Sequence, residues 1–180
     1  MHKINFDQLP QKKGLVTFKG NPITLLGKEL KVGDKAPDFQ VIDKSMNPVK
    51  FSDFKGKTIL ISVTPSVDTS VCDLQAKRFN EMATEVSKDV VILNISVDLP
   101  FALTRWCAAT GSEQIKTLSD HREMDFGIKY GLVIKEMMLL YRSVWIIDSK
   151  GIIQYIQIVP EFVNEPDYED VLGALKKLVV

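Results

Sequence analysis

Two cysteines, Cys72 and Cys107, are the residues of this chain best suited to covalent chemistry. Cys72 closes the stretch Thr64-Pro65-Ser66-Val67-Asp68-Thr69-Ser70-Val71-Cys72, where an apolar run breaks at a proline and a helical pattern begins. A cysteine in the first turn of a helix sits at the positive end of the helix dipole, a place that favours a thiolate. In a reducing compartment such a pair is either redox-active or inert core filler. The second role is the commoner one for free cysteines.

A free thiol, with a pKa near 8.5, is only a few per cent ionised at neutral pH. Making the thiolate dominant takes a drop of about 2.5 units, or about 3.4 kcal/mol of differential stabilisation. A helix N-terminus supplies about 0.3–1 kcal/mol and about 2 at best. A cation and hydrogen-bond donors must therefore add the rest, at about 1.5–3 kcal/mol for each charge-assisted bond. Thr69, one helical turn before Cys72, is placed to donate into the same pocket and is equally suited to capping the helix. Pro65 either shapes the turn and shields the sulfur or simply ends the strand.

The surrounding pattern predicts the elements that hold this turn. Thr58–Val63 is a near-continuous β-branched run, which suits a strand buried on both faces. After Cys72, Phe79, Met82, Ala83 and Val86 recur at helical spacing on one face, and Val90–Val97 is a second buried strand. Strand, helix and strand at this length make a βαβ unit with parallel strands. Upstream, Val16–Lys19 and Ile23–Leu26 flank Gly20-Asn21-Pro22 as a hairpin, and Phe39–Ile42 is a short strand. Downstream, Pro100 opens a helix that carries Trp106 and Cys107 and ends at Gly111. Lys116–Ser119 reads as a strand and Glu123–Tyr130 as a short helix. Arg142–Ile147 and Ile152–Val159 pair across the turn Asp148–Gly151, and Pro166–Leu178 is a closing helix. The order predicts one α/β domain of thioredoxin-like fold, a central mixed sheet flanked by helices with an N-terminal β-hairpin.

Composition narrows the function classes. The chain has 180 residues, 45% hydrophobic and 26% charged, the range of an ordinary globular domain. Lys+Arg and Asp+Glu are both 23, so no net field attracts a polyanion, and nucleic acid and acidic membranes are not expected partners. Met1 to Gly20 lacks the apolar core of a secretory signal, and no window resembles a membrane span. Two cysteines are too few for a disulfide-scaffolded secreted domain. The expected setting is the cytoplasm, with 1–14 as a flexible extension and 15–180 as the domain.

Pro65-x-x-x-Thr69-x-x-Cys72 matches the active-site motif of the peroxiredoxins, and the fuller Pro-Ser-Val-Asp-Thr-Ser-Val-Cys resembles their thiol peroxidase subfamily, the atypical two-cysteine group. The likeness extends to Thr17-Phe-Lys-Gly-Asn-Pro22, Val97-Asp-Leu-Pro-Phe-Ala102, Arg105-Trp-Cys107, Arg142 and Glu165-Pro-Asp-Tyr168, and covers about Val16 to Leu178. It implies that Cys72 is the peroxidatic cysteine, attacking the O–O bond of hydrogen peroxide or an organic hydroperoxide and becoming a sulfenic acid. Thr69 and Arg142 would hold the thiolate and peroxide oxygens, with Pro65 as a shield. A guanidinium suits that role, being permanently charged with several fixed donors. On residue type alone Arg142 is equally a solvated cation at a strand edge.

In such proteins the cysteine at the Cys107 position resolves the sulfenic acid as an intrachain disulfide, which thioredoxin reduces. No metal, flavin or haem is implied, the role is antioxidant, and a homodimer is expected. Cysteines on separate helices are not expected to meet the 4.4–6.8 Å Cα separation of a disulfide at rest, so both helices should unwind locally in each cycle. Trp106 stands where the family pattern leads us to expect phenylalanine, and core packing is its simplest role. A zinc site would need both cysteines with His2 and His121, at spacings unlike a zinc finger. The alternative of another class is a non-catalytic thioredoxin-like module that senses redox state or binds a partner.

Overall fold

The computed structural model describes residues 4–84 and 86–178; His2 and residues 1–3 of the expected extension lie outside them. A seven-stranded mixed sheet organises the chain. Within it the inner strand β5 (Thr58–Val63) is buried at every position. β6 (Val90–Ser96) pairs with β5 in parallel, as the βαβ reading requires, and β9 (Ser143–Ile147) pairs on the other side, antiparallel. The sheet continues through β10 (Ile153–Ile158) at one edge and β7 (Lys116–Ser119), β3 (Gln40–Ile42) and β4 (Pro48–Lys50) at the other.

Period-two alternation divides the core between the two faces of this sheet. Ile59, Ile61, Leu93, Ile95, Trp145 and Ile147 belong to one cluster, and Leu60, Ile92, Val144 and Ile146 to the other. The second cluster is covered by α1 (Ser70–Met82), α2 (Pro100–Thr110) and α4 (Tyr168–Lys176), through Ala76, Phe79, Leu103, Trp106, Val171 and Leu175. Full burial of a side chain such as Phe79 stabilises by about 1.5–3 kcal/mol. The first cluster is covered by α3 (Asp125–Lys129) and by a small sheet of β1 (Gln11–Phe18), β2 (Asn21–Leu26) and β8 (Val133–Ile134).

The N-terminal hairpin turns at Lys19-Gly20 rather than at Gly20-Asn21-Pro22. Both turn residues have positive φ, +50° and +77°, and Phe18 pairs with Asn21, so Asn21 and Pro22 already lie in β2. This is the two-residue turn whose twist matches that of the flanking strands. β1 begins at Gln11, ahead of the expected Val16, and pairs Gln11 with Leu26. Among the described residues no helix is long and apolar enough to cross a membrane.

Candidate active site

β5 and β9 bring the site together. Their antiparallel register places Val63 opposite Ser143, so Arg142, one residue before β9, stands beside the loop that leaves β5. That loop holds buried Pro65 and leads into α1 at Thr69. Thr69 is the N-cap: its Oγ1 accepts from the Cys72 backbone N at 3.4 Å and donates to the Ser66 carbonyl at 3.4 Å. Capping satisfies one of the donors a helix start leaves open, and it fixes Cys72 in the first turn. The threonine hydroxyl thus contacts the cysteine's backbone and not its sulfur.

Cys72 is fully buried, and its Sγ accepts from Arg142 Nη2 at 3.3 Å. Arg142 is itself 1% exposed. Its Nη1 donates to Gln75 Oε1 at 2.7 Å and its Nε to the Phe162 carbonyl at 3.1 Å. The solvated strand-edge alternative for Arg142 is therefore ruled out by its burial.

Gln75 is a site residue that the sequence reading missed. It lies three residues after Cys72 on the same helix face and is fully buried. Its Nε2 donates to Ser62 Oγ at 2.9 Å and to the Val63 carbonyl at 3.2 Å, which leaves Oε1 for the arginine. Ser62 Oγ donates in turn to Asn94 Oδ1, and Asn94 Nδ2 to Thr64 Oγ1, so a buried polar layer on β5 and β6 underlies the guanidinium. A polar residue at i+3 from the cysteine was the available signal.

Two further carboxylates hold the site's loops. Asp98 accepts from Ser66 Oγ at 2.7 Å and Val67 N at 2.8 Å, tying the loop before Cys72 to the segment that opens α2. Glu161 accepts from Thr17 Oγ1, Lys19 N and Gly20 N at 2.8, 2.9 and 3.0 Å, and Phe162 N donates to the Thr17 carbonyl at 2.8 Å. These bonds, led by that from Gly20, hold the Glu161 carboxyl down at about 2. The N-terminal hairpin thereby anchors the segment whose Phe162 carbonyl holds Arg142.

Cys107 is not bonded to this group. It is 1% exposed in the last turns of α2, and its Sγ lies 3.3 Å from Thr117 Oγ1 on β7. Both cysteines are free thiols. His121 Nδ1 lies 2.8 Å from Ser119 Oγ, and among the described residues no cluster of His, Cys, Asp and Glu could hold a metal ion.

The arrangement offers a shielded sulfur, a helix start aimed at it and a buried cation with donors in place. It suits a nucleophilic thiolate and charge developing beside it.

Comparison with known proteins agrees with that chemistry. The family model described as AhpC/TSA family matches residues 32–156. A protein of Halalkalibacterium halodurans named thiol peroxidase is 53% identical over 161 residues, 89% of this chain and 96% of that one. The Bacillus subtilis protein of the same name is 51% identical over 164 residues, 91% and 98% of the two chains. Among solved structures, a peroxiredoxin-like protein from Aquifex aeolicus superposes with a TM-score of 0.87 at 38% identity, covering 93% of this chain and 99% of that one. A thiol peroxidase from Chromobacterium violaceum superposes at 0.80, covering 90% and 95% of the chains; at 21% identity it speaks for the fold alone.

Proposed function

The chain belongs to the AhpC/TSA family and is a thiol-dependent peroxidase of the peroxiredoxin type, and on that premise we propose that Cys72 is its peroxidatic cysteine and Cys107 the resolving one. The observation that carries the first assignment is the Arg142 donor 3.3 Å from a fully buried Cys72 Sγ. The Cys72 thiolate attacks one peroxide oxygen, the S–O bond forms as the O–O bond breaks, and the leaving alkoxide or hydroxide takes a proton. Cys72 is left as a sulfenic acid. The Arg142 guanidinium stabilises charge on the sulfur and then on the departing oxygen. The Thr69 hydroxyl, held to Ser66 only by a 3.4 Å bond, turns to the peroxide, and Pro65 keeps water from the sulfur.

Cys107 then condenses with the sulfenic acid, forming the disulfide and releasing water. Cys72 and Cys107 sit on separate helices with separate partners. The first turn of α1 and part of α2 therefore unwind to let the sulfurs meet. Thioredoxin restores both thiols by exchange, in a cytoplasmic antioxidant role. A homodimer belongs to the same reading on the family resemblance, to be checked by sedimentation.

Peroxide consumption coupled to thioredoxin tests the scheme. Cys72→Ser should abolish it, and activity retained by that variant would refute the assignment. Cys107→Ser should allow turnover with a small thiol while losing the thioredoxin-supported cycle. Hydrogen exchange in α1 and α2 should rise on oxidation; identical protection in both states would sink the unwinding step.

A further inference from the structure

The residues next to the two cysteines touch each other. Asp73 follows Cys72 on α1, Trp106 precedes Cys107 on α2, and the indole Nε1 donates to Asp73 Oδ1 at 2.8 Å. Among the described residues this is the only hydrogen bond between the two helices. The indole is 8% exposed and packs in the core cluster that includes Phe79, Leu103 and Ile115, so its one donor needs a partner. The carboxylate is one-third exposed, stands in the positive first turn of α1, and takes Lys77 Nζ on its other oxygen at 2.8 Å. A phenylalanine would fill the same space without a donor.

We propose that the Trp106–Asp73 bond is a latch on the disulfide step. It holds α1 and α2 in the arrangement that places Cys72 on Arg142, and it must break before Cys107 can reach the sulfenic acid. Trp106 and Asp73 are positioning residues: they touch neither peroxide nor sulfur, and set how long the sulfenic acid waits. A longer wait exposes it to a second peroxide, which oxidises the sulfur to a sulfinic acid and leaves as water or alcohol. The latch rests on the reading of Cys72 and Cys107 given above.

Rapid-quench oxidation with one equivalent of hydrogen peroxide, followed by thiol blocking and intact-mass analysis, reads both steps separately. Trp106→Phe should form the disulfide about tenfold faster, equal to about 1.4 kcal/mol. Its sulfinic acid yield under excess peroxide should fall, and its first oxidation should keep the wild-type rate. Asp73→Ala should act alike, and the double variant should be no faster than either single one. Asp73→Asn keeps the acceptor and should stay within about threefold of wild type. Where Trp106→Phe also slows the first oxidation, Asp73→Ala, which leaves the ring in place, decides by the same measure. Unchanged or slower disulfide formation in Trp106→Phe and Asp73→Ala, or additive effects in the double variant, would overturn the latch alone. A wild-type protein that forms no Cys72–Cys107 disulfide would overturn the proposed reaction and the latch with it.

Discussion

Arg142 Nη2 lies 3.3 Å from Cys72 Sγ, and both side chains are closed to solvent. The other hydrogen bonds of the guanidinium go to neutral oxygens, Gln75 Oε1 and the Phe162 carbonyl. Among the described residues no carboxylate is paired with it. The remaining hydrogen bond of the guanidinium is the one to the sulfur, so its charge is placed to stabilise negative charge that develops there during reaction. Arg142→Met, similar in bulk but uncharged, should slow the oxidation of Cys72 by about 10²–10³-fold, the usual cost of removing a donor from developing charge. Peroxide competition measures this rate directly, and a loss below tenfold would exclude Arg142 from the reacting group.

The amide of Gln75 has its orientation settled by its neighbours, since its NH₂ is used by Ser62 Oγ and the Val63 carbonyl. Gln75→Leu should therefore both loosen Arg142 and leave a buried charged donor unpaired. Urea unfolding should show a loss of about 1.5–3 kcal/mol, and Cys72 oxidation should slow at least severalfold. Because Gln75 acts through Arg142, the Gln75→Leu/Arg142→Met double variant should oxidise no more slowly than Arg142→Met alone. Additive rate losses would place Gln75 in a separate role.

Some of this was legible in the sequence, for physical reasons that differ from place to place. Thr58–Val63 read correctly as a strand because it is a six-residue, mostly β-branched run bounded by Gly56-Lys57 and Pro65, and Lys116–Ser119 also forms the strand expected of it. Val86 continues the helical period, yet α1 ends at Met82; Val86 still packs on the same core, so the period reported burial rather than helix. β8 has two residues, too few to carry a period, and β4 opens with Pro48, which edge strands tolerate but patterns read as a break. In the site, the spacing of Thr69 and Cys72 encoded a capped helix start. The support for Arg142 from Phe162 was not legible, because a backbone carbonyl has no residue type to recognise. Gln75 was visible at i+3 but looked like any surface glutamine.

Asp120 is 2% exposed at the end of β7, where it accepts from Phe126 N at 3.2 Å and Gly127 N at 2.8 Å in the first turn of α3. Burial, aided by the nearby Asp125 charge, outweighs these donors and pushes its carboxyl up to about 7. The folded state then holds a proton that the unfolded chain releases near 3.8. Stability from this group is complete below about pH 4 and is lost as pH rises towards 7, by about 1.4 kcal/mol per unit. Asp120→Asn should remove that slope, while weakening the fold at low pH because an amide offers one acceptor where the backbone presents two donors. Unfolding free energies at several pH values between 4 and 8 check this. Equal slopes for the two proteins would show that Asp120 does not titrate in that range.

Glu161 links the hairpin turn to the site in the opposite pH regime. Backbone donors from Gly20 and Lys19 and the Thr17 hydroxyl hold its carboxyl at about 2, below the ordinary 4.5. Its contribution is present above about pH 4.5 and is lost as pH falls through 2. Exposed carboxylates of this kind add little to global stability, so the consequence to look for is local. Glu161→Ala frees the Lys19 and Gly20 amides and loosens the segment that presents the Phe162 carbonyl to Arg142 Nε. At neutral pH the variant should exchange those two amides much faster than wild type and oxidise Cys72 a few-fold more slowly, with its melting point nearly unchanged. Fast exchange at the turn with an unaltered oxidation rate would mean that the hairpin stabilises its own turn and leaves Arg142 to Gln75 alone.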